Sequence, residues 1–387
     1  MQIKIFLSAL LSFIFLLLSS QVNVRLFTEF NPDNAIFSVN SGKYRVSNYN
    51  QESIDLSQGD LLLITRFKDK IFVKQRNGET LTGDSLEIKG ETGEDYFSLR
   101  VNSGGSVKRN FSGNLKCFSD METLLLINSC DIEGYIAGVV RAEGGNGKNE
   151  EYFRTQAIIA RTYTYKYFIK HLVDRYNLCD DTHCQAFHGI IEDSIIISAV
   201  RHTKGLVITT PDSLLIISAF HSNCGGETSP SEFAWVTSQS YLGRVEDPYC
   251  LNSRNANWEQ KISLKSWTGF ITKNGYSGIT SNPLVFNFNQ DTRVADYTAG
   301  SFSMPLRTIR TELGLRSSFF SVIADGDSLL LKGRGYGHGV GLCQEGAMVM
   351  ANKGFTYKQI IDFYYSGVLI MDIKNAVLLP PNSLRKD

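Results

Sequence analysis

The chain has 387 residues, enough for two domains or one large elaborated domain, and its 42% hydrophobic and 11% aromatic content excludes a largely disordered protein. Lys+Arg and Asp+Glu number 39 each and cancel, so there is no charge footprint for nucleic acid. A neutral substrate, or one held by local contacts, is expected.

The first residues carry a targeting pattern. Lys4 supplies a positive start, Ile5–Leu18 is nearly all apolar, and Ser19 and Ser20 offer small residues near a cleavage point. A signal peptide over residues 1–22 is expected, and with it an exported, periplasmic or cell-wall-associated protein. An uncleaved segment would instead anchor it to the membrane. No second apolar stretch approaches spanning length, so no stable membrane span remains after cleavage. Seven cysteines in an exported chain permit disulfides, and the odd count leaves at least one thiol free, metal-bound or paired with another chain.

Residues 23–110 read as a β-rich region, with strand patterns at Asp60–Phe67, Lys70–Val73, Ser85–Ile88 and Tyr96–Val101 separated by turn residues. A hairpin is expected from Leu115 to Ile127, turning at Asp120-Met121-Glu122. Asn128, Ser129 or Asp131 then caps a helix that delivers Val139, Val140 and Glu143. Glu143 stands between an apolar run and the glycine loop Gly144-Gly145-Asn146-Gly147. That setting raises a carboxyl pKa and leaves its proton deliverable. A first-turn acid, favoured by a helix dipole, is the structural alternative. Glu150 or Glu151 opens a long helix with Phe153, Ala157, Ala160, Phe168 and Leu172 at helical spacing. Arg161 inside it needs another carboxylate or backbone carbonyls, because pairing with Glu143 would lower the Glu143 pKa.

Cys179, His183 and Cys184 can converge on zinc, with His171, His188 or a water as fourth ligand. A disulfide involving one of these cysteines is equally compatible with the spacing. A second hairpin (Gly205–Thr210, Leu214–Phe220) leads into His221-Ser222. Neighbours on a strand face opposite ways, and no G-x-S-x-G elbow is present, so a serine nucleophile is disfavoured. A further hairpin is turned by Asp325-Gly326-Asp327. In Gly333–Gly341 glycine falls at every second position. An extended chain would put the glycines on one face, bare for close backbone approach, and Arg334, Tyr336, His338 and Val340 on the other. There is no GK[ST], which removes a phosphate loop. Gln344–Asn352 reads as a helix stopped at Gly354, and Thr356 caps another.

In these pieces the sequence resembles the SpoIID/LytB family of bacterial cell-wall proteins. The matching stretches are GYIAGVVRAEGG (134–145), TQAIIARTYTYKY (155–167), CDDTHCQAFHG (179–189), FHSNCGGET (220–228), YLGRVEDPYC (241–250) and GRGYGHGVGLCQEGAMVMANKGFTYKQIIDFYYSG (333–367), in family order. The resemblance implies an α+β fold: a mixed SpoIID-like domain with a central groove over 111–372, preceded by the β-rich region 23–110 and followed by a tail, 373–387.

The sporulation branch of the family implies a lytic transglycosylase that cuts MurNAc-GlcNAc strands of peptidoglycan, preferably denuded of stem peptides. The essential acid of its GVVxxE motif falls on Glu143. The other branch implies a non-catalytic activator of an N-acetylmuramoyl-L-alanine amidase, which would bring a cell-wall amidase as partner. Zinc-bound members imply Cys179, His183 and Cys184 as ligands of a structural zinc, with no cofactor required for catalysis. Around the acid this chain has Arg141-Ala142-Glu143-Gly144-Gly145 where the family often has Pro-Ala-Glu-Met-Pro. Cys343 stands where many members carry Ser, and Cys224 and Cys250, both in matched motifs, are expected to pair.

For a neutral glycan, Gln156, Gln185, Ser222, His338 and Gln344 are the expected hydrogen-bonding contacts. Arg334 is expected on the lactyl carboxylate and Tyr336 against a sugar ring. A zinc hydrolase is a third class, and it would need an open metal position beside an acid.

Overall fold

In a computed structural model of the chain, the structure describes residues 20–102, 105–120, 123–145, 147–235 and 237–378. The expected signal peptide lies outside the described residues apart from 20–22, as does the tail beyond 378. Among the described residues no helix is long and apolar enough to cross a membrane. The fold is α+β, and the β-rich region expected over 23–110 is present.

The described residues form two compact units, one within 20–145, 156–207 and 372–378, the other within 147–155 and 208–371. In the first, strands β1 (Gln21–Leu26), β2 (Asn34–Ser41), β3 (Lys43–Asn48), β4 (Ser53–Ser57), β5 (Leu61–Phe67), β6 (Lys70–Gln75), β7 (Thr80–Gly83), β8 (Ser85–Gly90), β9 (Tyr96–Asn102), β10 (Ser106–Ser112), β11 (Asn114–Asp120), β12 (Thr123–Asp131) and β13 (Leu178–Cys179) build two sheets. Their orders are β13-β1-β12-β11-β8-β3-β4 and β10-β9-β2-β5-β6-β7. Strands from either side of residue 110 therefore share one sheet. Alternation of buried and exposed residues, as in Ser53–Ser57, marks strands with one face on a core. The two sheets meet through aromatic rings: Tyr44 of one meets Phe37 and Phe97 of the other edge-on, at 5.4 and 5.6 Å.

The last residue of β12, Asp131, caps the helix Ile132–Glu143 by accepting from the Gly134 N–H at 3.0 Å. That helix buries Ile132, Tyr135, Ile136, Val139 and Val140. The long helix Glu150–Lys166 follows, in this unit from Gln156 onward, and Ser194–His202 is capped by Asp193. Arg161 is fully buried. Its guanidinium pairs bidentately with Glu133 at 2.6 and 3.0 Å and donates to the carbonyls of Leu206 and Val200, as its burial requires.

In the second unit, Asn257–Ser263, Ser328–Arg334 and Phe320–Asp325 form an antiparallel sheet, the last two joined by the expected turn at 325–327. The helix Leu264–Lys273 buries Trp267 and Ile271 in a core with Tyr297, Phe286 and Leu329. A short parallel pair, Phe220–His221 with Leu342–Cys343, precedes the helices Gln344–Asn352 and Tyr357–Tyr364. Thr356 and Gln359 close a capping box on the last of these.

Candidate functional site

Glu143 is the last residue of its helix. The first-turn alternative is thereby corrected: the carboxyl sits at the negative end of the helix dipole, which disfavours its charged form. Burial is the main cause that pushes its pKa up from the ordinary 4.5 to about 7, and a hydrogen bond from the Ala186 N–H to Oε1 works the other way. Ala186 is brought there by close packing. A Cβ on Gly138, one turn before the acid, would stand 2.5 Å from both the Gly189 carbonyl oxygen and the Phe187 ring. The Phe187 ring also lies 4.9 Å from that of Tyr135.

The same loop carries the metal-ligand candidates. His171, Cys179, His183 and Cys184 put their ligand atoms within 4.8 Å of one another. Cys179 Sγ lies 3.5 Å from His183 Nδ1, and Cys184 Sγ lies 3.5 Å from His171 Nε2. The edges of a tetrahedron with zinc bond lengths are about 3.3–3.8 Å, so the donor set and its spacing fit zinc. Asp174 Oδ2, 3.2 Å from His171 Nδ1, holds that ring with Nε2 towards the cluster, as outer carboxylates do around zinc. Of the fourth ligands expected, His171 joins the cluster and His188 does not. The next residue after Cys179, Asp180, is buried and ties the loop to the start of the chain by accepting from Phe27 N, Thr28 N and Arg109.

Gln185, expected as a sugar contact, is buried, its Oε1 accepting from Thr164 Oγ1 at 3.0 Å and from Tyr135 Oη while its Nε2 donates to the Ala160 carbonyl. Gln156 is also buried, and its Nε2 finds no acceptor among the described residues.

In the second unit, the loops Phe220–Thr228 and Gly333–Gly341 lie side by side, with Asn223 and Tyr336 exchanging backbone hydrogen bonds at 2.8 and 3.1 Å. The glycine alternation does permit close approach, but not by extension. The strand ends at Arg334, and Gly335, Gly337, Gly339 and Gly341 all take positive φ. A Cβ on Gly335 would stand 2.5 Å from the Asn223 carbonyl oxygen. The loop therefore bends at every second residue, and its side chains do not share one face. Tyr336 is exposed and Ser222 half-buried, its Oγ accepting from Asn255. His338 is half-buried between His221 and Trp235, with ring centroids 5.6 and 5.7 Å away. Its pKa falls to about 4, through burial and then the Arg310 charge, so it is neutral near pH 7. His221 Nδ1 bonds the Val340 carbonyl and its buried Nε2 finds no hydrogen-bond partner among the described residues, so Ser222 and His221 form no dyad there. Arg334 stacks on Phe319 and donates through Nη2 to the carbonyls of Gln290 and Asp291. Gln344 opens its helix and is buried. Two acids escaped the sequence reading. Glu345 clasps Asn223 and Asn255, both at 2.6 Å, and Asp247 lies among Cys224, Cys250 and Cys343.

Comparisons with known proteins agree with this assembly of motifs. A family model for stage II sporulation protein (SpoIID) matches residues 120–210. The chain is 25% identical over 350 residues to an uncharacterized protein of Brachyspira hyodysenteriae, covering 87% of this chain and 90% of that protein. It is 27% identical to stage II sporulation protein D of Bacillus subtilis, over 64% of this chain and 76% of that one. It is 26% identical to the amidase enhancer of Bacillus subtilis, over 61% of this chain and 40% of that protein. The family match spans Glu143 and the Cys179–Cys184 loop, so over the residues that carry the acid and the cysteine cluster the chain is similar to the stage II sporulation protein D and amidase enhancer proteins.

Proposed function

We propose that this protein is an exported peptidoglycan lytic transglycosylase in which Glu143 is both acid and base. Similarity to the stage II sporulation protein D and amidase enhancer proteins supports a role in cell-wall remodelling; the reaction is our reading of the site. What supports it is the Glu143 carboxyl, half-buried at a helix C-terminus with a pKa raised to about 7. Near neutral pH both forms are populated, as a group that gives and then takes a proton requires. The protonated carboxyl donates to the glycosidic oxygen between N-acetylmuramic acid and N-acetylglucosamine, and the C1–O bond breaks. The carboxylate then takes the proton of the muramic C6 hydroxyl as its oxygen closes on C1, leaving a 1,6-anhydro end. No water enters, so the second carboxylate of an ordinary hydrolase is not needed.

His171, Cys179, His183 and Cys184 are proposed to hold a structural zinc that fixes the loop bearing Ala186. With four protein ligands it has no open position for catalysis, which argues against the zinc-hydrolase class. In the second unit, exposed Tyr336 is proposed to stack on a sugar and Ser222, His338 and Gln344 to offer neutral hydrogen bonds. Arg334, with Nη2 bound to carbonyls, offers its remaining N–H groups to a lactyl carboxylate. Similarity to an amidase enhancer supports a second reading, stimulation of a cell-wall amidase without glycan cleavage. Product analysis with denuded glycan strands, with and without Glu143→Gln, separates the two.

A further inference from the structure

Besides the His171 cluster, four residues from separate motifs converge in the second unit. Cys224, Asp247, Cys250 and Cys343 are all buried, and their ligand atoms lie within 4.8 Å of one another. Cys224 Sγ stands 3.4 Å from Cys250 Sγ and 3.2 Å from Asp247 Oδ2. We propose that these residues form a second zinc centre, Cys3Asp, that locks the loops 223–227 and 247–250 to the start of the helix Gln344–Asn352.

A Cys224–Cys250 disulfide, the pairing expected from the family motifs, requires about 2.05 Å between sulfurs, and here the two sulfurs stand 3.4 Å apart. It would also use only two of the four groups that converge here. Zinc uses all four: the edges about a zinc with thiolate bonds are about 3.8 Å, and a carboxylate oxygen is an accepted fourth ligand.

The surroundings are those of an anionic thiolate centre. Cys343 Sγ accepts from the backbone N–H of Cys224 and of Gly346, at 3.3 and 3.4 Å. The two Asp247 oxygens are oriented by Tyr364 Oη at 2.9 Å and Tyr249 N at 2.9 Å, the outer-shell bonds that aim ligands at a metal. Three thiolates and a carboxylate around Zn²⁺ leave net negative charge, and the buried Arg293 guanidinium, bonded to the Cys224 carbonyl at 2.7 Å, lies alongside to offset it.

Cys224 and Cys250 are 26 positions apart, and Cys224 and Cys343 119, so one ion closes long loops that a single disulfide would not. It would hold Ser222, next to Cys224 but one, and Gln344, next to Cys343. The centre needs no external oxidant, since metal binding only displaces thiol protons.

The test is metal stoichiometry on the full chain purified without chelator, with native mass spectrometry and thiol mapping by alkylation before any reduction. The expected result is about two zinc ions per chain, with Cys224, Cys250 and Cys343 all alkylated once the protein is denatured with chelator. Cys343→Ser and Asp247→Asn should each lower the second equivalent, while Cys184→Ser lowers only the first. Should these variants fold poorly, cobalt(II) loaded into the wild-type chain supplies a readout without mutation, because charge-transfer intensity follows the number of Co–S bonds, and filling both clusters adds the three thiolates of Cys224, Cys250 and Cys343 to the two of Cys179 and Cys184. One zinc per chain, or a Cys224–Cys250 disulfide in the mapped peptides, overturns the proposal. Neither result bears on Glu143.

Discussion

The backbone N–H of Ala186 donates to Oε1 of Glu143, joining the loop after Cys184 to the end of the helix that carries the acid. This bond favours the carboxylate, while burial favours the protonated form, and burial wins. The residue proposed to exchange protons is thus tuned by the loop that follows Cys179, His183 and Cys184, the proposed zinc ligands.

The first consequence is in pH. The fold raises the Glu143 pKa from 4.5 to about 7, so it favours the protonated form. Stability linked to this group is fully present below the unfolded value and is lost as pH rises through about 7. Glu143→Gln keeps a neutral group of the same shape. Thermal melts from about pH 5 to 8 should show the variant gaining on the wild type as pH rises. Parallel curves would remove the perturbed carboxyl. Transglycosylase kcat/KM should fall above about pH 7, with no limb from His338, whose pKa is near 4.

A second prediction concerns the loop. Cys184→Ser, or removal of metal by a chelator, should loosen residues 180–189 and weaken the Ala186 bond. Loss of a donor to the carboxylate raises the Glu143 pKa further, so the pH limb of activity moves up as well as the rate dropping. Gly138→Ala attacks the same bond from the helix side, because its Cβ meets Phe187 and Gly189. A rate loss with an unmoved pH profile in both variants would show that the loop does not tune the acid.

The third prediction is purely structural. Glu133→Ala leaves Arg161 buried without its carboxylate, and a broken pair of this kind costs about 3–5 kcal/mol. Urea unfolding should show that loss. A change below about 1 kcal/mol would mean that the Leu206 and Val200 carbonyls alone satisfy the guanidinium.

Much of this was legible because local rules and tertiary packing agree. The strands at 60–101, the hairpin after Leu115, the capped helices at 132 and 357 and the exclusion of Arg161 from Glu143 all follow from alternation, caps and burial. The helix that delivers Glu143 was legible from its cap and apolar run, but an acid before a glycine loop also reads as the first turn of the next helix, and only the structure removes that alternative. The 333–341 glycines misled because an alternating pattern is shared by an extended strand and by a loop with positive φ at every second residue. Gln185 looked like a polar contact, and only tertiary structure reveals that Tyr135 and Thr164 claim its amide. The Cys224–Asp247–Cys250–Cys343 cluster joins ligands 119 positions apart, beyond any local spacing rule.

The most direct test of the central claim is mass spectrometry of the products formed from denuded glycan strands by the purified protein, beside Glu143→Gln. The account predicts 1,6-anhydro-muramic ends from the wild type, and a loss of about 10²–10⁴-fold or more in the variant with the fold intact. Folded wild-type protein that binds the strands but leaves them uncut, or a Glu143→Gln variant that cuts them equally well, would contradict it.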